Sequence, residues 1–263
     1  MAKISVLTAT CRPWDMLLHQ AKDLEAQTFR DFDWVIVDDL LHPDCPNKRD
    51  VQLHASFSIT HVPPRVYSEK IAEAVARNTC LIHATGELVY FMNDYIRPAP
   101  GVLQRHWQIY QEYGPKVMIS GPLEPEQNRR PETMIGDGVG EVLSDHLMGG
   151  YYWAGRNDSA PLEGCLAVNG FDERADGDKG GIDVILARHL ANWGCRYLFD
   201  TLISCREEQH HPAKAGIGGH YAAHWDSLYQ DARNTKAIWT PNSWSIEDER
   251  AEHFGNEPPN SPG

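Results

Sequence analysis

The chain has 263 residues, enough for one large α/β domain with a sizeable core. Its 24 basic and 37 acidic residues give a net charge of −13, which disfavours nucleic acid and anionic membrane as partners unless a local basic patch overrides it. The sequence contains no apolar run of about 18 residues, no signal-peptide pattern and no C-x-x-C pair among its six Cys, so we expect a cytoplasmic protein with reduced thiols and no transmembrane segment.

The first 120 residues alternate short apolar runs of strand length with amphipathic stretches of helical period. We predict strands at 4–8, 34–37, 57–62, 88–92 and 116–120, and helices from Pro13, at 68–84 and at 99–112. This alternation predicts an α/β fold with a Rossmann-like, mostly parallel central sheet flanked by helices. Ligands of such sheets bind at the carboxyl ends of the strands.

The pattern breaks between 121 and 160, where Pro, Gly, Glu and Asn dominate, and we interpret this stretch as an excursion over the functional site. Regular structure is expected again from 164, with a helix that Gly194 terminates and one or two strands up to 205. We therefore predict a core over 1–205, a C-terminal segment over 206–254 that completes the acceptor side, and a disordered tail over 255–263.

Acidic residues follow two of the predicted strands. Asp38 and Asp39 end the second strand, and Asp94 follows the strand at 88–92 within "GELVYFMNDYIRP". The carboxyl ends of parallel strands meet at one edge of a sheet, so we expect the three carboxylates to cluster there. Turn formation is the alternative explanation for acids at these positions.

Three blocks of the sequence resemble glycosyltransferase family 2. They are "ISVLTATCRPWDMLLHQAKDLEAQTFRDFDWVIVDD", "ARNTCLIHATGELVYFMND" and "AVNGFDERADGDKGGIDVILARHLANWG", and they occur in the family's order over residues 4–205. The resemblance implies a GT-A fold, a nucleotide-sugar donor, expected to be a UDP-sugar, and sugar transfer with inversion.

The chain departs from the family pattern at two places. The D-x-D metal motif reads Asn93-Asp94-Tyr95, and the E-D pair reads Ile182-Asp183. The resemblance implies that Asp183 is the general base that deprotonates the acceptor. The alternative is structural, because carboxylates are common in the first turn of a helix, where the helix dipole favours them.

A divalent metal, Mn²⁺ or Mg²⁺, is expected at the altered motif. A metal on a diphosphate needs only one or two protein carboxylates, so Asp94 could suffice, with Asn93 offering a neutral oxygen. Similar enzymes bring a His to the metal or diphosphate after the last core strand, where His210 or His211 could act. A turn at 93–94 and a solvated loop around the His pair are the alternatives.

The remaining donor contacts are expected from three parts of the chain. Thr8 and Ala9 would line the nucleobase, and Asp38 or Asp39 would bind the base or ribose, as in similar enzymes. Arg77 would pair with phosphate or with Asp38. Asn78 belongs to the same block, although a hydrogen-bonding role in the core explains it equally well.

Aromatic and small residues are concentrated in "GGYYWAGRNDSAPLEG" at 149–164. Sugars pack on aromatic rings and bond to polar side chains, so Trp153, Asn157 and Glu163 are candidate sugar or acceptor contacts. Burial of the aromatics in the core is the alternative.

Several functions fit these residues. A metal-assisted inverting glycosyltransferase is the main prediction, and its acceptor, a glycan, a lipid-linked sugar, a protein or a modified nucleobase, stays open, as does the oligomeric state. One alternative is a viral-type glycosyltransferase that acts on hydroxymethylpyrimidine in DNA, against which the charge of −13 argues. A non-catalytic sugar-nucleotide-binding module would explain the altered D-x-D. A nucleotidyltransferase lacks support, because no Gly-rich phosphate loop follows the first strand.

Overall fold

The computed structural model describes residues 2–12, 14–45, 53–66, 68, 72–124, 138–142, 153, 155–177, 181–208 and 245–255. Its strands are β1 (Ile4–Thr10), β2 (Phe32–Asp38), β3 (Ser58–Val62), β4 (Leu88–Phe91), β5 (Ile96–Pro98), β6 (Val117–Ser120), β7 (Leu123–Glu124), β8 (Val139–Val142), β9 (Asp158–Pro161), β10 (Arg196–Asp200) and β11 (Cys205–Glu207). Its α-helices are α1 (Trp14–Glu25), α2 (Glu73–His83), α3 (Val102–Tyr113), α4 (Leu162–Ala167), α5 (Ile182–Trp193) and α6 (Ile246–His253).

Eight strands form the central sheet in the order β3-β2-β1-β4-β9-β6-β10-β8. The pairs β1–β2, β1–β4, β2–β3 and β6–β10 are parallel, whereas β9 runs antiparallel to both of its neighbours and β8 antiparallel to β10. A smaller sheet has the order β5-β11-β7. The predicted mixed, mostly parallel sheet flanked by helices is confirmed.

Apolar side chains cover both faces of the central sheet. Along β2, Val35 and Val37 join the cluster that includes α2, α4, α5 and α6, whereas Trp34 and Ile36 join the cluster with α1 and α3. Successive side chains of a strand point to opposite faces, so one buried strand contributes to both layers. Helices therefore shield the sheet on both sides and leave its strand ends for a site.

The helix boundaries follow local signals. Helix α2 begins at Glu73, later than predicted, and the carboxylate of Asp176 accepts hydrogen bonds from the backbone N–H groups of Ala74 and Val75 in its first turn. Helix α5 ends as predicted at Gly194, whose φ of 103° lies in the left-handed region that favours glycine.

The sequence analysis did not predict β9, which lies between β4 and β6. Its sequence, Asp-Ser-Ala-Pro, has neither the alternation nor the β-branched residues of a strand. Buried polar contacts hold it instead: the hydroxyl of Ser120 donates to Asp158, and Ser159 contacts the ring of His106 at 2.7 Å. Polar side chains in the core thus replace the apolar pattern here.

The described part of the C-terminal segment packs against the core. Helix α6 contacts α2, and the guanidinium of Arg250 donates to the carbonyl oxygens at the end of α2, those of Leu81, Ile82 and Ala84. The predicted tail lies outside the described residues, apart from Gly255. None of the helices that the structure describes could cross a membrane.

Candidate active site

The strand ends β1, β2 and β4 bring together polar residues from distant parts of the sequence. Thr10, the last residue of β1, pairs with Asp38 in the parallel register of β1 and β2. The Oγ1 of Thr10 also donates a 2.8 Å hydrogen bond to Oδ2 of Asp94, which follows β4. Asp38 and Asp94 therefore flank the end of β1.

Asp94 is buried and paired with a cation. The Nε of Arg12 donates to its Oδ1 at 2.8 Å, and the guanidinium lies 5.4 Å from the ring centre of Tyr95. Burial raises the pKa of Asp94 above its ordinary value, although Arg12 and Thr10 act in the opposite direction. Arg12 was not among the predicted site residues.

Arg77 connects α2 with the altered metal motif. Its Nη2 donates to Oδ1 of Asn93 at 2.5 Å, and its Nε and Nη2 donate to one oxygen of Glu73 at 3.0 and 2.8 Å. Glu73 lies one helical turn before Arg77, the spacing at which side chains of a helix meet. The oxygen of Asn93 that was expected to face a metal thus faces a guanidinium.

Asp183 lies in the first turn of α5, next to Arg77. Its Oδ1 is 3.6 Å from Nη1 of Arg77 and, within the described ranges, receives no hydrogen bond. Burial raises the pKa of Asp183 to about 7, with Arg77 lowering it and Glu73 raising it further. The Asp183 side chain is 15% exposed, whereas its Oδ1 is buried.

The backbone of Gly155 lies against the side chains of Asp183 and Arg77. Its φ of 62° lies in the left-handed region, and a Cβ built there would overlap Oδ1 of Asp183 and stand 2.7 Å from both terminal nitrogens of Arg77. Only a glycine lets the backbone approach the two charged groups so closely. Within the 121–160 stretch, Gly155 thus lies directly against Asp183 and Arg77.

The residues predicted to contact the nucleoside differ in their exposure to solvent. Asp38 is fully buried, accepts a hydrogen bond from the backbone N–H of Leu40 at 2.9 Å and contacts His61 at 3.3 Å. Asp39 and Ala9 are half-buried at the same strand ends. Thr8 is buried and accepts from the indole N–H of Trp34 at 3.0 Å. Asp39 is thus the more accessible of the two acids.

Asn78 has a structural environment. Its side chain is buried, accepts from the backbone N–H of Phe171 at 2.7 Å, and donates to the carbonyl oxygen of Phe171 and to Glu173, both at 2.9 Å. These bonds hold the Asn-Gly-Phe turn against α2. These contacts agree with the hydrogen-bonding role in the core, one of the two explanations of Asn78 that the sequence left open.

The three predicted sugar or acceptor residues do not lie together on a surface. Trp153 is 1% exposed and packs edge-to-face on Phe91 and Tyr197. Asn157 is buried and donates to the carbonyl oxygens of Pro122 and Ile203. Glu163 is exposed in the first turn of α4. Trp153 and Asn157 are therefore packing residues of the core and not surface contacts for a sugar.

The described residues contain no group of three or more His, Cys, Asp or Glu side chains arranged to hold a metal ion. His210 and His211, the predicted additional ligands, lie outside the described residues. Of the predicted ligands, only Asp94 is thus placed by the structure.

Sequence reasoning missed Arg12, Glu73 and Gly155. Glu73 lies four residues before Arg77 on a predicted helix, and this spacing is a signal that could have identified Glu73 as a partner of Arg77. Arg12 follows the first strand and so belongs to the same sheet edge as Asp94. The role of Gly155 depends on tertiary packing, for which the sequence carries no local signal.

No protein-family model matches the sequence, and no curated protein is matched by it. Solved structures, by contrast, match the fold. Residues 1–349 of S. aureus TarS in complex with UDP-GlcNAc align with a TM-score of 0.66 and 14% identity over 97% of this chain and 73% of that one. The same TarS fragment in complex with UDP aligns with a TM-score of 0.65 and 15% identity over 96% and 70%.

A third match is the mannosyltransferase PcManGT from Pyrobaculum calidifontis in complex with GDP-Man and Mn²⁺, with a TM-score of 0.53 and 20% identity over 82% of this chain and 58% of that one. In two further TarS structures, for which no ligand is named, this chain covers 60% of the length of TarS 1–349 and 42% of the length of a TarS chain. Since TarS is a GT-A-type glycosyltransferase, these alignments show that the chain has a glycosyltransferase fold of the GT-A type.

Proposed function

We propose that the chain is an inverting glycosyltransferase that moves a sugar from a nucleoside-diphosphate donor, a UDP-sugar, to an acceptor hydroxyl, with Asp183 as the general base. The observation that carries this proposal is the buried Asp183 carboxylate, whose Oδ1 receives no hydrogen bond from the described residues and which lies beside the Arg77 that contacts Asn93. TarS, of the same fold, binds UDP-GlcNAc, which supports the choice of donor.

A general base works best when its pKa lies near the working pH, because it is then both deprotonated and a good proton acceptor. Burial raises the pKa of Asp183 to about 7, which meets this condition. In an inverting transfer, Asp183 takes the proton of the acceptor hydroxyl while the acceptor oxygen attacks the anomeric carbon and the nucleoside diphosphate departs from the opposite face. The Asp183 side chain is 15% exposed, which leaves part of it within reach of an acceptor hydroxyl.

The donor would lie along the ends of β1, β2 and β4. Asp39 and Ala9 are the accessible residues for the nucleoside, whereas Asp38 shapes the turn that carries Asp39. Arg12 and Arg77 supply positive charge beside Asn93 and Asp94, where the diphosphate would bind. Charged groups aimed at the departing diphosphate stabilise the negative charge that develops there.

The donor set fits a divalent metal, Mn²⁺ or Mg²⁺, with one protein carboxylate. Among the described residues, Oδ1 of Asp94 accepts a hydrogen bond from Arg12 and Oδ2 accepts one from Thr10, and a carboxylate oxygen has room for two partners. Diphosphate and water would complete the shell, as is usual for Mg²⁺. When bound, the cation would offset the charge of the leaving diphosphate. His210 or His211 remains the proposed additional ligand, and the Mn²⁺ bound with GDP-Man in PcManGT supports metal use.

The charges near the motif also favour an added cation. Asp94 and Glu73 balance the guanidinium groups of Arg12 and Arg77, so the charge of Asp183 above its pKa of about 7 is in excess among these five groups. A diphosphate would add further negative charge to this surrounding, which a divalent ion would balance. The glycosyltransferase is favoured over a non-catalytic sugar-nucleotide-binding module because a binder has no need for a desolvated carboxylate with a pKa near 7.

The function is tested with a panel of nucleotide sugars and Mn²⁺, by measuring the release of free nucleoside diphosphate. We expect slow donor hydrolysis from at least one UDP-sugar, and loss of this release in Asp183→Asn with UDP binding retained. A wild-type protein that binds UDP but releases it from none of the donors would instead be a binding module.

A further inference from the structure

The Arg77 guanidinium contacts residues from three parts of the chain at once. It lies 3.6 Å from Asp183 on α5, donates to Asn93 after β4, and is held from its own helix by Glu73. The Arg77 side chain is 6% exposed, so these contacts are made out of water, where charges interact strongly.

We infer that Arg77 is a positioning residue: it orients Asp183 toward the acceptor and links the base to the donor site, so that donor binding next to Asn93 makes Asp183 more basic. This inference rests on the proposed function. Arg77 itself touches no reacting atom; it acts through Asp183.

The surrounding backbone favours such a role over that of an incidental ion pair. Gly155, with φ of 62°, brings its backbone so close to Asp183 that an added Cβ would overlap Oδ1. Within the described ranges, Asp183 Oδ1 has an ion pair with Arg77 but no hydrogen bond. The orientation of this oxygen therefore depends on the glycine-lined space and on one guanidinium.

The link to the donor follows from charge. A diphosphate that arrives beside Asn93 attracts the Arg77 guanidinium and reduces the share of its positive charge that Asp183 experiences. The other charged groups that act on Asp183 are Glu73 on α2 and the neighbouring pair Arg156 and Asp158 at the start of β9. Arg77 donates a hydrogen bond to Asn93, and through this contact a charge beside Asn93 acts on the guanidinium that faces Asp183.

The two ends of the Arg77–Glu73 pair give variants with opposite expected effects. Arg77→Gln removes the positive charge beside Asp183, so the pKa of Asp183 should rise by about one unit or more. Glu73→Gln removes a negative charge near Asp183 and the acid that shares the Arg77 guanidinium with it, so the pKa of Asp183 should fall. Glu73 is 35% exposed and its loss leaves the buried Arg77 in place, so this variant should fold even where Arg77→Gln does not.

The experiment follows the Asp183 carboxyl carbon by NMR as a function of pH, with the signal assigned by its loss in Asp183→Asn. Glu87→Gln, which removes an exposed acid paired with Lys3, is the matched control and should leave the titration unchanged. UDP with Mg²⁺, which unlike Mn²⁺ is diamagnetic, should raise the pKa of Asp183 in the wild type and raise it less in Arg77→Gln. The pH profile of transfer should shift in the same directions.

The inference is overturned if Glu73→Gln and Arg77→Gln shift the pKa in the same direction or not at all, or if UDP has the same effect with and without Arg77. If Arg77→Gln does not fold, an unshifted pKa in Glu73→Gln is sufficient to overturn it. Failure of the proposed function looks different: Asp183 would titrate as described, but the wild type would release no diphosphate from any donor.

Discussion

The Nε of Arg12 donates a 2.8 Å hydrogen bond to Oδ1 of Asp94, so the one acid in the Asn93-Asp94-Tyr95 motif is paired with a cation from the turn after β1. A metal at this motif must therefore share Asp94 with a guanidinium. Arg12 lowers the pKa of Asp94 and so opposes the increase that burial of this carboxylate causes.

Asp94→Ala should remove the gain in donor affinity that Mn²⁺ provides. The carboxylate is the protein ligand that the structure places at the motif, and a hard divalent ion binds poorly without it. Calorimetry of UDP with Mn²⁺ and with a chelator measures the gain, and Asp44→Ala, which removes an exposed acid, is the control. Equal UDP affinities of the wild type with metal and with chelator would contradict the metal proposal.

Asp38 and Asp39 should respond differently to substitution. Asp39→Ala should weaken UDP binding about ten- to a hundredfold, because one charged hydrogen bond contributes about 1.5–3 kcal/mol. Asp38→Ala should instead lower the free energy of unfolding by about 1–2 kcal/mol, because the backbone N–H of Leu40 loses its partner. If Asp39→Ala binds UDP like the wild type, the nucleoside contacts lie elsewhere.

The charge of Asp183 should make the protein less stable as the pH rises. Its pKa is about 7 in the folded protein and near the ordinary value of about 4 when unfolded, so its contribution to stability is complete below about pH 4 and is lost as the pH rises through 7. Asp183→Asn removes the buried charge and should raise the free energy of unfolding at pH 8 by about 1–2 kcal/mol, with a much smaller effect at pH 5.

Denaturant unfolding at the two pH values measures this difference. An acid that serves only the helix dipole predicts the opposite sign, since its removal would cost about 0.3–1 kcal/mol. A loss of stability in Asp183→Asn at pH 8 would therefore favour the structural explanation of this residue.

Gly155→Ala should impair transfer although it adds only a methyl group. The new Cβ would overlap Asp183 and crowd Arg77, and the backbone would be strained at φ of 62°. We expect at least a tenfold lower rate of transfer. Gly101→Ala is the matched control, because a Cβ at Gly101 meets no atom within 4 Å. Wild-type rates in Gly155→Ala would show that the Asp183–Arg77 geometry tolerates displacement.

Strands β1, β2 and β4 could be predicted from the sequence because each is an apolar run, and helix α1 because an amphipathic stretch follows β1. Strand β9 could not, because Asp158–Pro161 is held by buried hydrogen bonds and not by an apolar pattern. Local periodicity carries no information about such polar pairings across the sheet.

The residues of the candidate site also divide into those with a local signal in the sequence and those without one. Asp94 and Asp183 were identified through motif positions, and the Glu73–Arg77 pair has a local spacing that predicts contact. The approach of Arg77 to Asp183 depends on how α2 and α5 pack on one face of the sheet. The role of Gly155 depends on the contact of its backbone with the side chains of Arg77 and Asp183. Trp153 was misleading for a related reason, since an aromatic in a polar stretch suggests a sugar contact but here fills the core.

The most direct test of the proposed function compares Asp183→Asn with the wild type in sugar transfer and in UDP affinity. Asn keeps the size of the side chain but cannot accept the acceptor proton, so transfer should fall about 10²- to 10⁴-fold while UDP affinity stays within about twofold. A variant that transfers sugar at the wild-type rate would contradict the assignment of Asp183 as the base.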